Sequence, residues 1–224
     1  MPRYEAVILD MDGTLVDSNW AHARAWVDAL REHGYAPPYE QVLPLIGMGG
    51  DQLLPIVADG LQKSSPLGSA IAARKKAIFH AHYFPQVRPF PGVRALVERM
   101  RQEGLAVVVG TSSGKNDAER LLDMVGITDL IDSATSADDA KRSKPAPDIV
   151  LAALAKTGKP AARVLMVGDT PYDIQAAEPT GVGVIAVRCG GWKDEQLQGA
   201  LEIYDSPADL LAHYAESALG RTTR

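Results

Sequence analysis

The sequence predicts an α/β protein: a parallel sheet covered on both faces, with a helical subdomain inserted after its first strand. Three observations predict it. Short apolar runs alternate with helical segments along most of the chain, which requires crossover connections and hence parallel strands. The runs are apolar throughout rather than every second residue, as strands buried on both faces are. Residues from about 35 to 85 hold turns and helical stretches but no convincing strand.

Taken in order, Tyr4 to Leu9 reads as a buried strand that stops at Asp10. Asn19 to His33 reads as a helix, because Trp20, Ala23, Val27 and Leu30 recur at three- and four-residue spacing and Gly34 ends it. Then come Pro37-Pro38, a Gly47-Met48-Gly49-Gly50 turn, and helical stretches around 52–63 and 67–84. Gly92 to Glu103 is expected to be helical, Leu105 to Val109 a buried strand, Lys115 to Val125 a helix and Leu130 to Ala134 a further strand. Pro147 to Lys156 reads as a helix, Arg163 to Val167 as a strand, Tyr172 to Glu178 as a short helix, Val182 to Val187 as a strand, and Pro207 to Ala218 as the closing helix. Residues 1–15 and 88–224 would form the core, and 16–87 a helical cap.

The chain has 224 residues, enough for one core with a small accessory unit. Its 46% apolar and 23% charged residues fit an ordinary soluble globular protein. A formal charge of -5, with no basic run interleaved with aromatics, argues against nucleic acid or an anionic membrane as partner. Cys189 is the only cysteine, so no intrachain disulfide is possible, which suits a reducing compartment. The first apolar run is too short and too soon acidic for a signal peptide, and no segment is apolar enough to span a membrane. The expected location is cytoplasmic.

Ligands of open α/β sheets bind outside the carboxyl ends of the strands. Asp10 and Asp12 follow the first strand, Thr111 and Ser112 the second, and Asp169 and Asp173 a later one, while Lys144 lies in a Pro-rich loop. Carboxylates gathered at one edge repel one another, and a hard cation relieves that. Magnesium takes oxygen ligands and commonly uses one or two carboxylates plus substrate phosphate, and Asp10 and Asp169 are the natural pair. An aspartate can attack phosphorus to form an aspartyl-phosphate, which suits Asp10. A carboxylate two residues on, Asp12, could protonate the leaving oxygen and then activate water. Thr111 or Ser112 offers a hydroxyl and amides to the phosphoryl oxygens, and Lys144 a positive charge.

These residues resemble the motifs of the haloacid dehalogenase-like hydrolase superfamily. Asp10-Met11-Asp12-Gly13-Thr14-Leu15-Val16-Asp17-Ser18 is similar to its first motif, Thr111-Ser112 to its second, Lys144-Pro145-Ala146-Pro147-Asp148 to its third, and Gly168-Asp169-Thr170-Pro171-Tyr172-Asp173 to its fourth. The resemblance implies a Rossmann-like core with a helical cap between the first two motifs. It implies Asp10 as nucleophile and Mg2+ ligand, and Asp12 as acid/base with its backbone carbonyl on the metal. Thr111, Ser112 and Lys144 would hold phosphate, Asp169 would bind the metal, and Asp173 would support the metal site. Within the family the sequence looks most like phosphoglycolate- and sugar-phosphatase-like members acting on a small phosphorylated metabolite. Family dehalogenases lack the second aspartate, which is present here as Asp12. Phosphonoacetaldehyde hydrolases need a cap lysine, and the loop Ile46 to Gln52 has none, the nearest being Lys63. A phosphomutase of the β-phosphoglucomutase type keeps the same core, but usually carries an arginine in that loop, which is missing here.

Other readings compete at single positions. Gly110-Thr111-Ser112-Ser113-Gly114 matches the nucleophile elbow of serine hydrolases, with Asp169 and His213 following in triad order. His213 falls inside an expected helix, however, and that reading leaves Asp10, Asp12, Lys144 and Asp173 without roles. A phosphometabolite-binding protein with little turnover is a third possibility, against which stands the presence of both Asp10 and Asp12. Asp17 and Ser18 read as caps of the helix at Asn19. Asp173 could be only a helix-start residue. His22 reads as a solvated or packing histidine near the motif, His80 and His82 as surface residues, and Trp20 and Trp26 as cap packing. Gly181-Val182-Gly183 reads as a turn into a strand. The loop Gly47 to Gln52 is the candidate substrate contact in the cap.

Overall fold

The computed structural model describes residues 4–221. Its core is a six-stranded, all-parallel sheet. In chain order the strands and helices are β1 (Ala6–Leu9), β2 (Val16–Asp17), α1 (Asn19–Glu32), α2 (Tyr39–Val42), α3 (Gly50–Val57), α4 (Pro66–Ile78) and β3 (Arg88–Pro89). There follow α5 (Val93–Gln102), β4 (Ala106–Gly110), α6 (Lys115–Val125), β5 (Ser133–Thr135), α7 (Asp148–Thr157), β6 (Val164–Gly168), α8 (Pro171–Ala177), β7 (Gly183–Val187), β8 (Glu202–Tyr204) and α9 (Pro207–Ala212). The spatial order is β5-β4-β1-β6-β7-β8.

The continuous apolar runs have a direct cause. Side chains alternate between the two faces of a strand. Val7 and Leu9 join the larger apolar cluster, with Val107, Val109, Leu165 and Val167. Ala6 and Ile8 join the cluster on the other face, with Val108, Val164 and Met166. Helices α5 and α6 contribute Leu96, Met100, Leu121 and Leu122 to the first cluster, and α7 and α8 contribute Val150, Ala153, Ala176 and Ala177 to the second. Neither face can therefore be polar. The central position of β1 also sets up the site. Leu9 lies opposite Val109 on one side and Val167 on the other, so the residues that follow each strand emerge side by side.

The structure differs from the sequence reading in places. β2 and β3 pair antiparallel, Val16 with Pro89 and Asp17 with Arg88, where the chain leaves and re-enters the core. Two-residue strands carry no detectable periodicity. β8 is a half-buried edge strand, too short for a pattern. β5 begins at Ser133 rather than Leu130, and α9 ends at Ala212, followed by turns. α3 stops at Val57, and both Asp59 and Gly60 then take positive φ, a conformation that cannot continue a right-handed helix. Between β2 and β3 there are helices and turns, with no strand of the sheet. Among the described residues no helix is long and apolar enough to cross a membrane.

Those inserted helices pack as part of the larger cluster. α4 starts at Ser65, whose Oγ accepts from the Gly68 N–H, with Pro66 in its first turn. It runs into a wider turn, Phe79–Tyr83, that presents a fully buried Phe79. The Phe79 ring stacks on His22 of α1 at 4.1 Å and meets Phe84 edge-on at 5.9 Å. Phe79→Ala is expected to lower unfolding free energy by about 3–5 kcal/mol, read as a lower urea midpoint. A loss below about 1 kcal/mol would mean that the pocket collapses around the missing ring.

Candidate active site

The site lies at the carboxyl edge of β1, β4 and β6. The turn after β1 is closed by the Gly13 N–H, which donates to Val16 O at 2.8 Å. Gly13 has φ 81, and a Cβ there would stand 2.1 Å from Asp169 Oδ2. Only glycine allows that approach of the first motif to the fourth.

Asp10 is buried, and Lys144 Nζ donates to its Oδ1. The same ammonium pairs with Asp173 Oδ1 at 2.7 Å and donates to Gly110 O at 3.2 Å. Thr14 Oγ1 lies 3.0 Å from Asp169 Oδ1, and Asn19 Nδ2 donates to Asp169 Oδ2 at 2.9 Å. Asp173 Oδ2 accepts from Thr170 N and Oγ1 at 3.0 and 2.7 Å. It is thus a helix-start residue and an ion-pair partner at once.

Burial pushes the Asp10 carboxyl up to about 7, with the Lys144 charge pulling against it and the charges of Asp173 and Asp12 adding to it. Asp169 is also raised, first by burial and then by the charges of Asp10 and Asp173. Lys144 is raised, because Asp10 and Asp173 outweigh the effect of its burial. Oxygens of Asp10, Asp169 and Asp173 all lie within 4.8 Å of one another. Each of the three also has protein partners: Lys144 pairs with both Asp10 and Asp173, Thr170 donates to Asp173, and Thr14 and Asn19 hold Asp169. An all-oxygen, buried, anionic donor set fits a hard divalent ion such as magnesium.

Asp12 sits in a different environment two residues on. Ser18 Oγ donates to its Oδ1 at 2.6 Å, Ser113 Oγ to Oδ2 at 2.8 Å, and His22 Nε2 lies 2.9 Å from Oδ1. Burial alone would raise this carboxyl, but His22 and the two hydroxyls outweigh it and hold it well below the usual range. The His22 ring is itself held low, by burial and then by the neighbouring Lys75 charge, against the pull of Asp12. Lys75 Nζ stands 2.8 Å from His22 Nδ1. An ammonium can only donate, so Nδ1 accepts and Nε2 carries the proton given to Asp12.

Ser18 therefore departs from its reading as a cap. It occupies the position before α1, but its hydroxyl serves Asp12 instead of the helix. His22 does pack, and it also contacts Asp12. His80 is not a free surface residue, since it bridges Asp117 at 2.7 Å and Arg120 at 2.5 Å. His82 is exposed. Ser113, Asn19 and Lys75 were not singled out in the sequence. Asn19 and His22 are three apart and so share the face of α1 toward the site, a signal that was available. Lys75 gave none, because it comes from α4.

Asp10, Asp12, Thr111 and Ser112 line a cavity of about 370 Å³. Gly47 to Gly50 line its cap side. That loop meets the core directly: Ser112 Oγ donates to Gly47 O at 3.2 Å, and Ser143 N to Asp51 Oδ2 at 3.2 Å. The serine-hydrolase arrangement is not assembled. His213 pairs with Asp209 at 3.0 Å, the Asp169 carboxylate is held by Thr14 and Asn19, and the Ser112 hydroxyl turns to Gly47.

The chain resembles known proteins in sequence and in fold. The family model for haloacid dehalogenase-like hydrolases matches residues 7–187. The chain belongs to that family. It is 32% identical to a phosphoglycolate phosphatase of Rhodospirillum rubrum over 218 residues, covering 94% of this chain and 90% of the relative. It is 30% identical to an N-acetylmuramic acid 6-phosphate phosphatase of Pseudomonas aeruginosa, covering 93% and 94%. A hydrolase from Pseudomonas syringae superposes with a TM-score of 0.88 at 28% identity, over 95% of this chain and 98% of that one. This haloacid dehalogenase-like hydrolase is an enzyme of the phosphatase class.

Proposed function

We propose that the enzyme hydrolyses a small phosphorylated metabolite, of the phosphoglycolate or sugar-phosphate kind, with Mg2+ and through an aspartyl-phosphate on Asp10. The observation that carries this reading is the contrast between two carboxylates that face one cavity. Asp10 is paired with Lys144, while Asp12 is held by Ser18, Ser113 and His22.

Asp10 attacks phosphorus, and the P–O bond to the leaving group breaks. Asp12, ionised at rest, takes a proton from solvent as substrate enters and gives it to that oxygen; it then takes one from the water that cleaves the aspartyl-phosphate, releasing phosphate, freeing the Asp10 carboxylate and leaving Asp12 protonated for the next turnover. His22 and the two serines keep Asp12 aimed at the cavity. Thr111 and Ser112 offer hydroxyls and amides to the phosphoryl oxygens, and Lys144 holds Asp10 in place and adds positive charge. Asp10, Asp169 and the backbone carbonyl of Asp12 would hold magnesium, with Asp173 in support; the ion would neutralise phosphoryl charge as the carboxylate approaches. The helices between β2 and β3 act as a cap that excludes water. A cytoplasmic setting accords with a single, half-buried cysteine.

Chelation is expected to abolish p-nitrophenyl phosphate hydrolysis, and magnesium to restore it. Independently of turnover, magnesium at 100 times its Kd is expected to stabilise the fold by about 2.7 kcal/mol, seen as a higher melting temperature. Asp169→Asn should lose that shift. An unchanged shift in the variant would remove Asp169 from the metal site. Carboxyl-ester hydrolysis that survives chelation, without phosphatase activity, would return the serine-hydrolase reading. Conversion of one sugar phosphate into its isomer without phosphate release would mark a mutase.

A further inference from the structure

The cap wall of the cavity carries a charge pattern that phosphoryl transfer does not use. Lys63, which follows α3, and Lys75 and Lys76 of α4 line the same cavity as Asp10 and Asp12. The three ammonium groups lie close enough that the charges of Lys63 and Lys76 both act on Lys75. This clustering occurs in a chain whose net charge is -5. Like charges gathered at a concave wall raise the local concentration of the opposite charge.

Lys75 is committed. It contacts His22 and lies over the Trp26 and Phe79 rings, 5.6 and 5.2 Å from their centres. Lys63 and Lys76 are not. Lys63 has no ion-pair or hydrogen-bond partner among the described residues. The nearest acid to Lys76 is Asp117 at 3.6 Å, and that carboxylate is held more closely by His80 at 2.7 Å. Asp117 is the one carboxylate of the cavity lining besides Asp10 and Asp12. A substrate with a neutral tail would thus leave Lys63 without a counter-charge and Lys76 with only a carboxylate that it shares with His80.

Size narrows the choice further. The cavity is near the lower end of ligand pockets. On its cap side Gly49 packs against the core: a Cβ there would stand 2.0 Å from Ser143 Oγ. From these observations, together with the phosphatase reading above, we infer that Lys63 and Lys76 form a second anion subsite. The substrate is a short phosphate monoester carrying a further carboxylate or phosphate.

Calorimetry on the full-length, magnesium-loaded enzyme tests this without turnover. The probes are 3-phosphonopropionate, methylenediphosphonate and the uncharged-tail analogue propylphosphonate. At least one of the two probes that carry a second anionic group is expected to bind on the order of 10-fold more tightly than propylphosphonate, as two partly exposed charge pairs allow. The tighter of the two identifies carboxylate or phosphate as the second group. In Lys63→Met/Lys76→Met the ratio is expected to fall to within about 2-fold. Equal affinities in the wild type, or a ratio that survives the double substitution, would overturn the subsite. If the subsite alone fails, propylphosphonate still binds; if no phosphonate binds, the phosphatase reading fails with it.

Discussion

Asp10→Asn is expected to lower kcat on a phosphate monoester by at least about 10⁴-fold, because an amide cannot attack phosphorus and no second carboxylate stands in its place. Asp12 is the nearest candidate for a substitute, but Ser18, Ser113 and His22 occupy its oxygens. Asp169 is fully buried and held by Thr14 and Asn19. The substitution should spare the fold. It removes a charge from a crowded set of buried carboxylates, and Lys144 keeps Asp173 as a partner at 2.7 Å. The checks are steady-state kinetics and mass spectrometry of acid-quenched enzyme, in which a phosphorylated aspartate should be trapped in the wild type alone. Residual activity above about 1% in a preparation free of deamidated protein would remove Asp10 as nucleophile.

Lys144→Met is expected to cost about 3–5 kcal/mol of stability, the usual range when one partner of a buried ion pair is removed. Lys144 is 1% exposed and is the cation between Asp10 and Asp173, which both sit inside the protein. Without it, two buried carboxylates face each other with no nearby positive charge. Urea denaturation reads the loss. A second substitution separates electrostatics from packing. Lys144→Met/Asp173→Asn removes one of the orphaned charges and is expected to recover part of the stability, whereas a purely steric cost would not change. A double variant no more stable than the single one would sink the electrostatic account.

Three of the four motif segments were legible because each sits at a boundary where an apolar run stops at a polar residue. Leu9 gives way to Asp10, Gly110 to Thr111 and Gly168 to Asp169, and parallel strands bring such boundaries to one edge. The helices were legible where three- and four-residue spacing persists, as in α1 and α6. Elements of two or three residues, β2, β3 and β8, were not, since they are held by pairing and not by periodicity.

The partners of Asp12 divide in the same way. Ser18 and His22 lie within ten residues of it, yet local sequence reads them as a cap and a packing residue. Local sequence favours a serine before a helix as its cap, and nothing local says that a buried carboxylate will compete for the same hydroxyl. Ser113 and Lys75 reach the site across the fold, and their contribution is a matter of distance in space.

By itself, the sequence of this haloacid dehalogenase-like hydrolase determined the parallel sheet and the edge of it at which Asp10 and Asp12 meet Thr111 and Asp169. These follow from local pattern and strand direction, which are written residue by residue. Only the tertiary structure decided how the two aspartates differ. Lys144 pairs with one, and a chain from Lys75 through His22 reaches the other. Helices far apart in sequence deliver those charges, and electrostatic environment depends on separation in space and burial, neither of which a linear pattern contains.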